Sequence, residues 1–488
     1  MKAIEEETDT EMEQKESRLS PPPPHVLIFP LPLQGPVNSL LKLAELLCIG
    51  GLHVTFLVTD HINRRNSKIH SHFSRYPGFY LDTISDGLPE DHPRTADTFM
   101  EIFDSLENTT KPLFKEMLRR KSTDDYEHVR PPVNCVIGDG ILGFTIEVAR
   151  ELGIPIICTR TISPCFLWLV FCLPKLFEAG ELPFDDDDLD VPIKSVPGME
   201  GFLRRRDLPS FCRAGDLTDP NLRLYLSEIN LSPRADGLIL NSFEELEGPL
   251  LSHIRTLCPN LYTIGPLHAH LNYKLSTETS SRSSNFRDEE DRSCLSWLNA
   301  QPEKSVIYVS FGSIVVLTIE QMTEFRQGLV NSGHRFLWVI RDDAITGGGG
   351  GGWLREEKSS RGYIVGWAPQ EEVLSHPSVG GFLTHSGWNS TLESIYEGKP
   401  MLCWPYFVDQ QLNSRFVGEV WKLGLDMKDT RDRFQVEKMV REIMSDKFNR
   451  CSDQMARLAR QSIEEDGSSS RDLNRLIQDI KAMTINHN

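Results

Sequence analysis

The chain has 488 residues, 39% of them hydrophobic and 25% charged, which is too long for one core of ordinary size and predicts two globular domains. A formal charge of −18 excludes a broad cationic surface for nucleic acid, because phosphate backbones are held through clustered Lys and Arg. Ten cysteines at irregular spacing, with no CxxC pair, read as free thiols in a reducing compartment and not as a disulfide framework.

In chain order, residues 1–24 combine an acidic run (Glu5, Glu6, Glu7, Asp9, Glu11) with Pro21 to Pro24 and contain no apolar h-region. A disordered leader and a cytoplasmic location are expected, not a signal peptide. His25 to Pro30 then reads as a strand, followed by a loop with Pro32, Gly35 and Pro36, a helical pattern from Ser39 to Leu47, Gly50-Gly51, and a strand from Val54 to Val58. That order is a βαβ unit, which implies a parallel sheet. The rhythm recurs at Asn134 to Gly138, Phe144 to Leu152 and Pro155 to Cys158, with a further strand at Gly237 to Leu240, so residues 25–264 read as a doubly wound α/β domain. The longest apolar run, Cys165 to Leu173, is stopped by Pro174 and Lys175. It falls short of the roughly 20 residues a bilayer span requires and reads as a buried helix or a pocket wall.

Residues 271–292 are rich in Ser, Thr, Asn, Arg and acidic side chains, which predicts a solvated linker and places the domain boundary at 265–292. The rhythm restarts in 293–465 with a strand at Val306 to Phe311 and a helix opening at Thr318, where Gln321 completes a capping box and Gly333 marks the end. Strands follow at Phe336 to Ile340 and Tyr363 to Val365. The glycine run Gly347 to Gly352 predicts a mobile loop, since ordering glycine costs more entropy than ordering any other residue. Residues 466–488, with a helical pattern from Arg471 to Met483, predict a closing surface helix that can pack back on the N-terminal domain.

The chemistry concentrates between residues 367 and 410. A nucleotide diphosphate needs backbone N–H donors and a positive partial charge, both supplied by a helix N-terminus reached through small residues. His385-Ser386-Gly387, followed by a helix from Trp388 to Glu397 that Gly398 and Pro400 end, has that form. Trp367 offers an indole face for a base, His385 and Asn389 can donate to phosphate, and Glu393, one turn after Asn389, can accept from ribose hydroxyls. Asp409 and Gln410 suit sugar hydroxyls.

This segment resembles the signature box of plant UDP-sugar-dependent glycosyltransferases, and from His25 onward the chain looks like an inverting family 1 glycosyltransferase. Supporting stretches are Val306 to Ser313, Asn241 to Glu247 and Tyr262 to Pro266. The resemblance implies an α/β GT-B fold, two Rossmann-like doubly wound domains facing across a cleft, with the donor in the C-terminal domain and the acceptor in the N-terminal one. It implies that Trp367 stacks on uracil, Ala368 and Gln370 contact the base and ribose region, and Glu393 binds the ribose. It further implies that Ser313, His385, Asn389 and Ser390 hold the diphosphate at the helix opened by Gly387 and Trp388, and that Asp409 and Gln410 hold the sugar, Gln410 suggesting glucose. UDP-glucose is thus expected as co-substrate, with no further cofactor, no metal, no nucleic-acid partner and no membrane span, in a monomer. Acceptor contacts are expected from Pro36, Phe144, Phe166 and Phe407. Ser386 stands where the family usually has Cys.

One departure bears on the chemistry. The family's first loop reads Gln-Gly-His, its His taking the acceptor proton while an Asp orients it; here the loop is Gln34-Gly35-Pro36, and only the Asp is present, as Asp139. Proline has no side-chain proton acceptor. His25 begins a strand, and His61 is a more open substitute. Four explanations remain: the acceptor is acidic, Asp139 or a water takes the proton, another His moves in, or transfer is impaired and the protein is a UDP-sugar-binding protein. A carboxylic acid near pKa 4 arrives ionised, a phenol near 10 benefits from a base, and an alcohol needs one most. Stretches at Val196 to Leu203 and Arg206 to Pro209 look similar to the branch that glucosylates iridoid and other terpenoid aglycones.

Overall fold

The computed structural model describes residues 23–66, 68–94, 98–119, 130–184, 188–212, 218–278, 292–313, 315–341, 361–428 and 432–483. Two parallel sheets carry the chain. The first consists of β1 (His25–Phe29), β2 (His53–Thr59), β3 (Phe79–Ile84), β4 (Cys135–Asp139), β5 (Ile156–Arg160), β6 (Gly237–Leu240) and β7 (Leu261–Thr263), in the order β3-β2-β1-β4-β5-β6-β7. The second consists of β8 (Val306–Ser310), β9 (Arg335–Val339), β10 (Gly362–Val365), β11 (Val379–Thr384), β12 (Met401–Cys403) and β13 (Gly424–Asp426), in the order β10-β9-β8-β11-β12-β13. Runs such as Val26-Leu27-Ile28-Phe29 are apolar at every position because helices cover both faces of a parallel sheet, and these residues are fully or almost fully buried.

Strand order reverses between β1 and β4 in one sheet and between β8 and β11 in the other. In open α/β sheets ligands bind beyond the carboxyl ends of strands at these reversals. The two reversals supply the cleft walls. Beyond β1 runs helix α1 (Gln34–Ile49); beyond β4 comes α2 (Gly143–Glu151); beyond β5 comes α3 (Pro164–Glu178).

Two segments differ from expectation. Helix α3 passes through Pro174 to Glu178, because its first turns are held by burial of every residue from Pro164 to Leu173 and by the Ser163 hydroxyl accepting the Phe166 N–H at 3.3 Å. Part of the expected linker is helix α4 (Leu267–Glu278). Leu267 and Leu271 are buried and Leu275 packs beside them, a stripe at helical spacing laid on α1 that the polar composition concealed. Residues 279–291, most of the leader and Gly347 to Gly352 lie outside the described residues. Elsewhere, α5 (Ile319–Ser332) carries the capping box: the Thr318 hydroxyl accepts from the Gln321 N–H at 3.1 Å, the Gln321 carbonyl from the Thr318 N–H at 2.9 Å, and Gly333 closes the helix at φ 78°.

The C-terminal domain also contributes α6 (Gln370–Ser375), α7 (Trp388–Tyr396) and α8 (Gln410–Arg415). The last helix, α9 (Ser468–Met483), returns to the first sheet: Leu473, Leu476, Ile477 and Ile480 join the N-terminal core, and Asp472 accepts from the Thr263 N–H at 2.7 Å. Leu476 is fully buried, so Leu476→Ala is expected to destabilise the protein by about 2–5 kcal/mol through lost burial and an unfilled cavity, read as a lowered urea midpoint. No helix among the described residues is long and apolar enough to cross a membrane.

Candidate active site

A cavity of about 380 Å³ lies between the two domains, within the size range of small-molecule pockets, roughly 300–1,000 Å³. Its C-terminal wall is built from strand ends. Gly312 and Ser313 follow β8, His385 to Gly387 follow β11, and Asp409 ends the loop after β12; all but Ser386 line the cavity. Gly387 is the N-cap of α7, so the free N–H groups of that helix open into the site. Trp388, Asn389, Ser390 and Glu393 extend along the same helix, and Trp367, Ala368 and Gln370 face them.

Hydrogen bonds fix these side chains. The Gln370 amide donates to Glu393 Oε2 at 2.6 Å and to Ser390 Oγ at 2.9 Å, while the Tyr308 hydroxyl donates to Gln370 Oε1 at 3.3 Å. Burial, followed by repulsion from Glu371, raises the Glu393 carboxyl to about 7. His385 is lowered to about 4 by burial and then by the Arg341 cation, so it is neutral at physiological pH and offers one N–H. Asp409 is raised to about 6 by burial, opposed by the Asn413 amide that donates to its Oδ2 at 2.9 Å. Ser386 occupies the left-handed region at φ 65°, fully buried, with its carbonyl accepting from Asn413 at 2.9 Å.

Residues 241–461 match the family model described as UDP-glucoronosyl and UDP-glucosyl transferase. A 7-deoxyloganetic acid glucosyl transferase of Catharanthus roseus is 54% identical over 475 residues, covering 95% of this chain and 98% of that protein. The chain belongs to this transferase family. A myricetin 3-O-rhamnoside 1,2-glucosyltransferase of Crocosmia x crocosmiiflora is 44% identical, covering 94% of this chain and 96% of that one. Among solved structures, Os79 from O. sativa in complex with UDP superposes with a TM-score of 0.77 at 26% identity, covering 93% of this chain and all of the other. A UDP-glucose: anthocyanidin 3-O-glucosyltransferase in complex with UDP gives 0.77 at 25% identity, covering 94% and 99%. The two facing Rossmann-like domains are therefore the GT-B fold of plant UDP-glucosyltransferases.

In this glucosyltransferase the acceptor side departs from expectation at several residues. Asp139 is fully buried and does not line the cavity. Its Oδ1 accepts from Arg160 Nη1 at 3.0 Å and from the Ile141 N–H at 3.4 Å. Burial pushes its carboxyl upward against the pull of Arg160. Gly140 makes room for this pair, since a Cβ there would lie 2.9 Å from Arg160 Cδ. Pro36 does line the cavity. His25 Nδ1 lies 2.6 Å from the Pro131 carbonyl and its Nε2 2.8 Å from the Thr55 hydroxyl, so it is a structural residue, and His61 is not among the cavity-lining residues.

Phe144 packs in the N-terminal core against Phe29 and Phe114, and Phe166 against Tyr225, so both lie outside the cavity because they fill the space beneath the sheet. Phe407 lies in a second cavity of about 280 Å³ with Phe99, Phe211 and Tyr225. Gln410 also does not line the main cavity: its Oε1 accepts from the Tyr406 and Phe407 N–H groups at 2.9 and 2.8 Å and so pins the loop that presents Asp409. Next to Asp409, Val408 is held at φ 53°, unfavourable for a β-branched residue.

Sequence reasoning missed Ser39, Lys42, Arg160 and Arg341, and it named Asn241 only as part of a family stretch. Spacing on α1 was the available signal for the first two: Gly35, Ser39 and Lys42 share one helical face and all line the cavity.

Proposed function

We propose that this transferase moves glucose from UDP-glucose, with inversion, to an oxygen of a small hydrophobic iridoid-type acceptor that carries an acidic group, without a histidine base. The observation that carries this reading is the cavity itself, where the open N-terminus of α7, with Ser313, His385 and Asn389, faces Pro36 where the family places its base. The similarity to a glucosyltransferase named for an acid supports the acceptor class.

In the proposed reaction an acceptor oxygen forms a bond to the anomeric carbon from the face opposite the diphosphate, and the bond from that carbon to the β-phosphate oxygen breaks. The electron pair leaves on UDP, where the helix N-terminus and the neutral His385 N–H oppose the growing charge. Asp409 holds sugar hydroxyls, and Trp367, Gln370 and Glu393 hold uridine. A carboxyl acceptor has lost its proton before it arrives; a hydroxyl acceptor gives its proton to water, because Asp139 is tied to Arg160 out of reach.

A UDP-release assay with matched carboxylic, phenolic and alcoholic acceptors tests this. Rates are expected to rank carboxylate above phenol above alcohol at pH 7, the alcohols trailing by about 10²- to 10⁴-fold, the usual worth of a general base. UDP binding by calorimetry without turnover on any acceptor would instead identify a UDP-sugar-binding protein.

A further inference from the structure

The donor site extends across the cleft onto the first helix of the N-terminal domain. Three groups on one face of α1 touch the machinery that holds uridine diphosphate. The Gly35 carbonyl accepts from Asn389 Nδ2 at 3.2 Å, the Ser39 hydroxyl donates to Asn389 Oδ1 at 2.8 Å, and Lys42 Nζ donates to Glu371 Oε1 at 2.5 Å. Glu371 directly follows Gln370, the residue that anchors Glu393.

We propose that Lys42 is a positioning residue for the nucleotide: reaching across the cleft to Glu371, it holds the helix turn from which Gln370 anchors Glu393 for the ribose hydroxyls, and its cation favours the charged form of Glu393. This rests on the donor-site reading given above.

The charge balance explains why a cation is needed. Burial alone would raise Glu371, but the Lys42 charge, then His268 and the Lys42 and Asn272 hydrogen bonds, bring it below the usual carboxylate range. Glu393 feels repulsion from Glu371 and attraction from Lys42. Lys42 itself stays protonated, because both glutamates outweigh its desolvation. The groups facing Glu393 are thus Lys42 from α1, Glu371 and Gln370 from α6, and Tyr308 from β8, while His268 from α4 acts on Glu371. Lys42 is the cation among these groups that opposes two partly buried acids. The side chains of Lys42 and Glu371 are 12% and 28% exposed, so water screens the pair less than it would a surface pair.

Removing the lysine leaves two neighbouring carboxylates in a buried site, and one of them takes up a proton. A protonated Glu393 accepts less well from ribose hydroxyls. Lys42→Met is therefore expected to raise the Kd for UDP and the KM for UDP-glucose by about 10-fold, the scale of one charge-assisted hydrogen bond. At saturating donor, kcat and the acceptor KM stay within about 3-fold, because the reacting atoms are elsewhere. Ionisation of Glu393 then requires higher pH, so the donor KM of the variant falls along a curve displaced upward in pH from the parent's. Lys42→Arg, which keeps the cation, restores affinity and pH curve. The double variant Lys42→Met/Glu371→Met, with no stranded acid, binds UDP more tightly than Lys42→Met alone.

A parental donor KM and pH curve in Lys42→Met would overturn the proposal, as would a loss confined to kcat. If Lys42→Met fails to fold, Lys42→Gln measured beside Lys42→Arg gives the same contrast. A parent chain that does not bind UDP in calorimetry would overturn the donor-site reading itself, whereas a parent that binds and a variant that binds equally would overturn only the role of Lys42.

Discussion

Gly387→Ala is expected to lower kcat/KM for UDP-glucose by about 10²- to 10³-fold, the cost of removing a donor from a site that stabilises developing negative charge. The glycine is not needed for its backbone angles, since φ −60° and ψ 142° suit any residue. It is needed for space. A Cβ at this position would lie 2.4 Å from His385 Nε2 and 2.9 Å from Cε1. Gly312, at φ 75°, also approaches the ring so closely that a Cβ there would lie 2.5 Å from Nε2. Two glycines therefore crowd the imidazole, and a side chain at 387 must displace either the His385 ring or the first turn of α7. Both are the groups proposed above to face the diphosphate. Alanine at a helix N-cap is otherwise a modest change of about 1 kcal/mol, so the variant should retain its fold while losing UDP affinity in calorimetry. An alanine variant with parental UDP affinity would mean that the diphosphate does not lie against this helix.

Much of the fold was legible because parallel strands buried on both faces form nearly continuous apolar runs: β1, β2, β4, β5 and β6 lie within a residue or two of the expected positions. The short strands β7, β12 and β13, of three residues each, carry too little pattern to be read. Helix α4 was hidden because its buried stripe of Leu267, Leu271 and Leu275 is diluted by polar neighbours. The donor wall was legible for a different reason: its residues are contiguous in sequence, so strand ends and one helix bring them together by local geometry. Lys42 and Asn241 lie far from that segment in the chain, and only the docking of the domains shows that they touch Glu371 and Asn389, while Arg160 meets Asp139 through the pairing of neighbouring strands. Phe144 and Phe166, expected as acceptor contacts, lie outside the main cavity, and composition could not separate the two cases because apolar residues that line a pocket and apolar residues that fill a core look alike. Gln410, expected to hold sugar, binds its own loop here through Oε1, a role that sequence alone does not distinguish.

Pro36→His is expected to accelerate transfer to alcohol acceptors by about 10²-fold or more while changing transfer to carboxylates by less than about 3-fold, because only the former acceptor still holds the proton a base would remove. Residue 36 stands in the first turn of α1 at the cavity wall, so an imidazole there can reach an acceptor bound beside the donor. Its orienting partner is half occupied. Asp139 Oδ1 is held by Arg160, while Oδ2 has no hydrogen-bond partner among the described residues, and the variant tests whether an imidazole at 36 can donate to it. The nearby Arg160 cation disfavours protonation of that imidazole and the Asp139 carboxylate favours it. The alcohol rate should rise with pH as that imidazole loses its proton and level off above that point. The parent protein, lacking the group, should show no such limb. The measurement is the pH profile of UDP release for matched alcohol and carboxylate acceptors in parent and variant. Equal acceleration of both acceptors would show that residue 36 acts through packing and not through proton transfer. No acceleration of either would place the acceptor oxygen away from α1, and with it the inference that Pro36 occupies the position of a base.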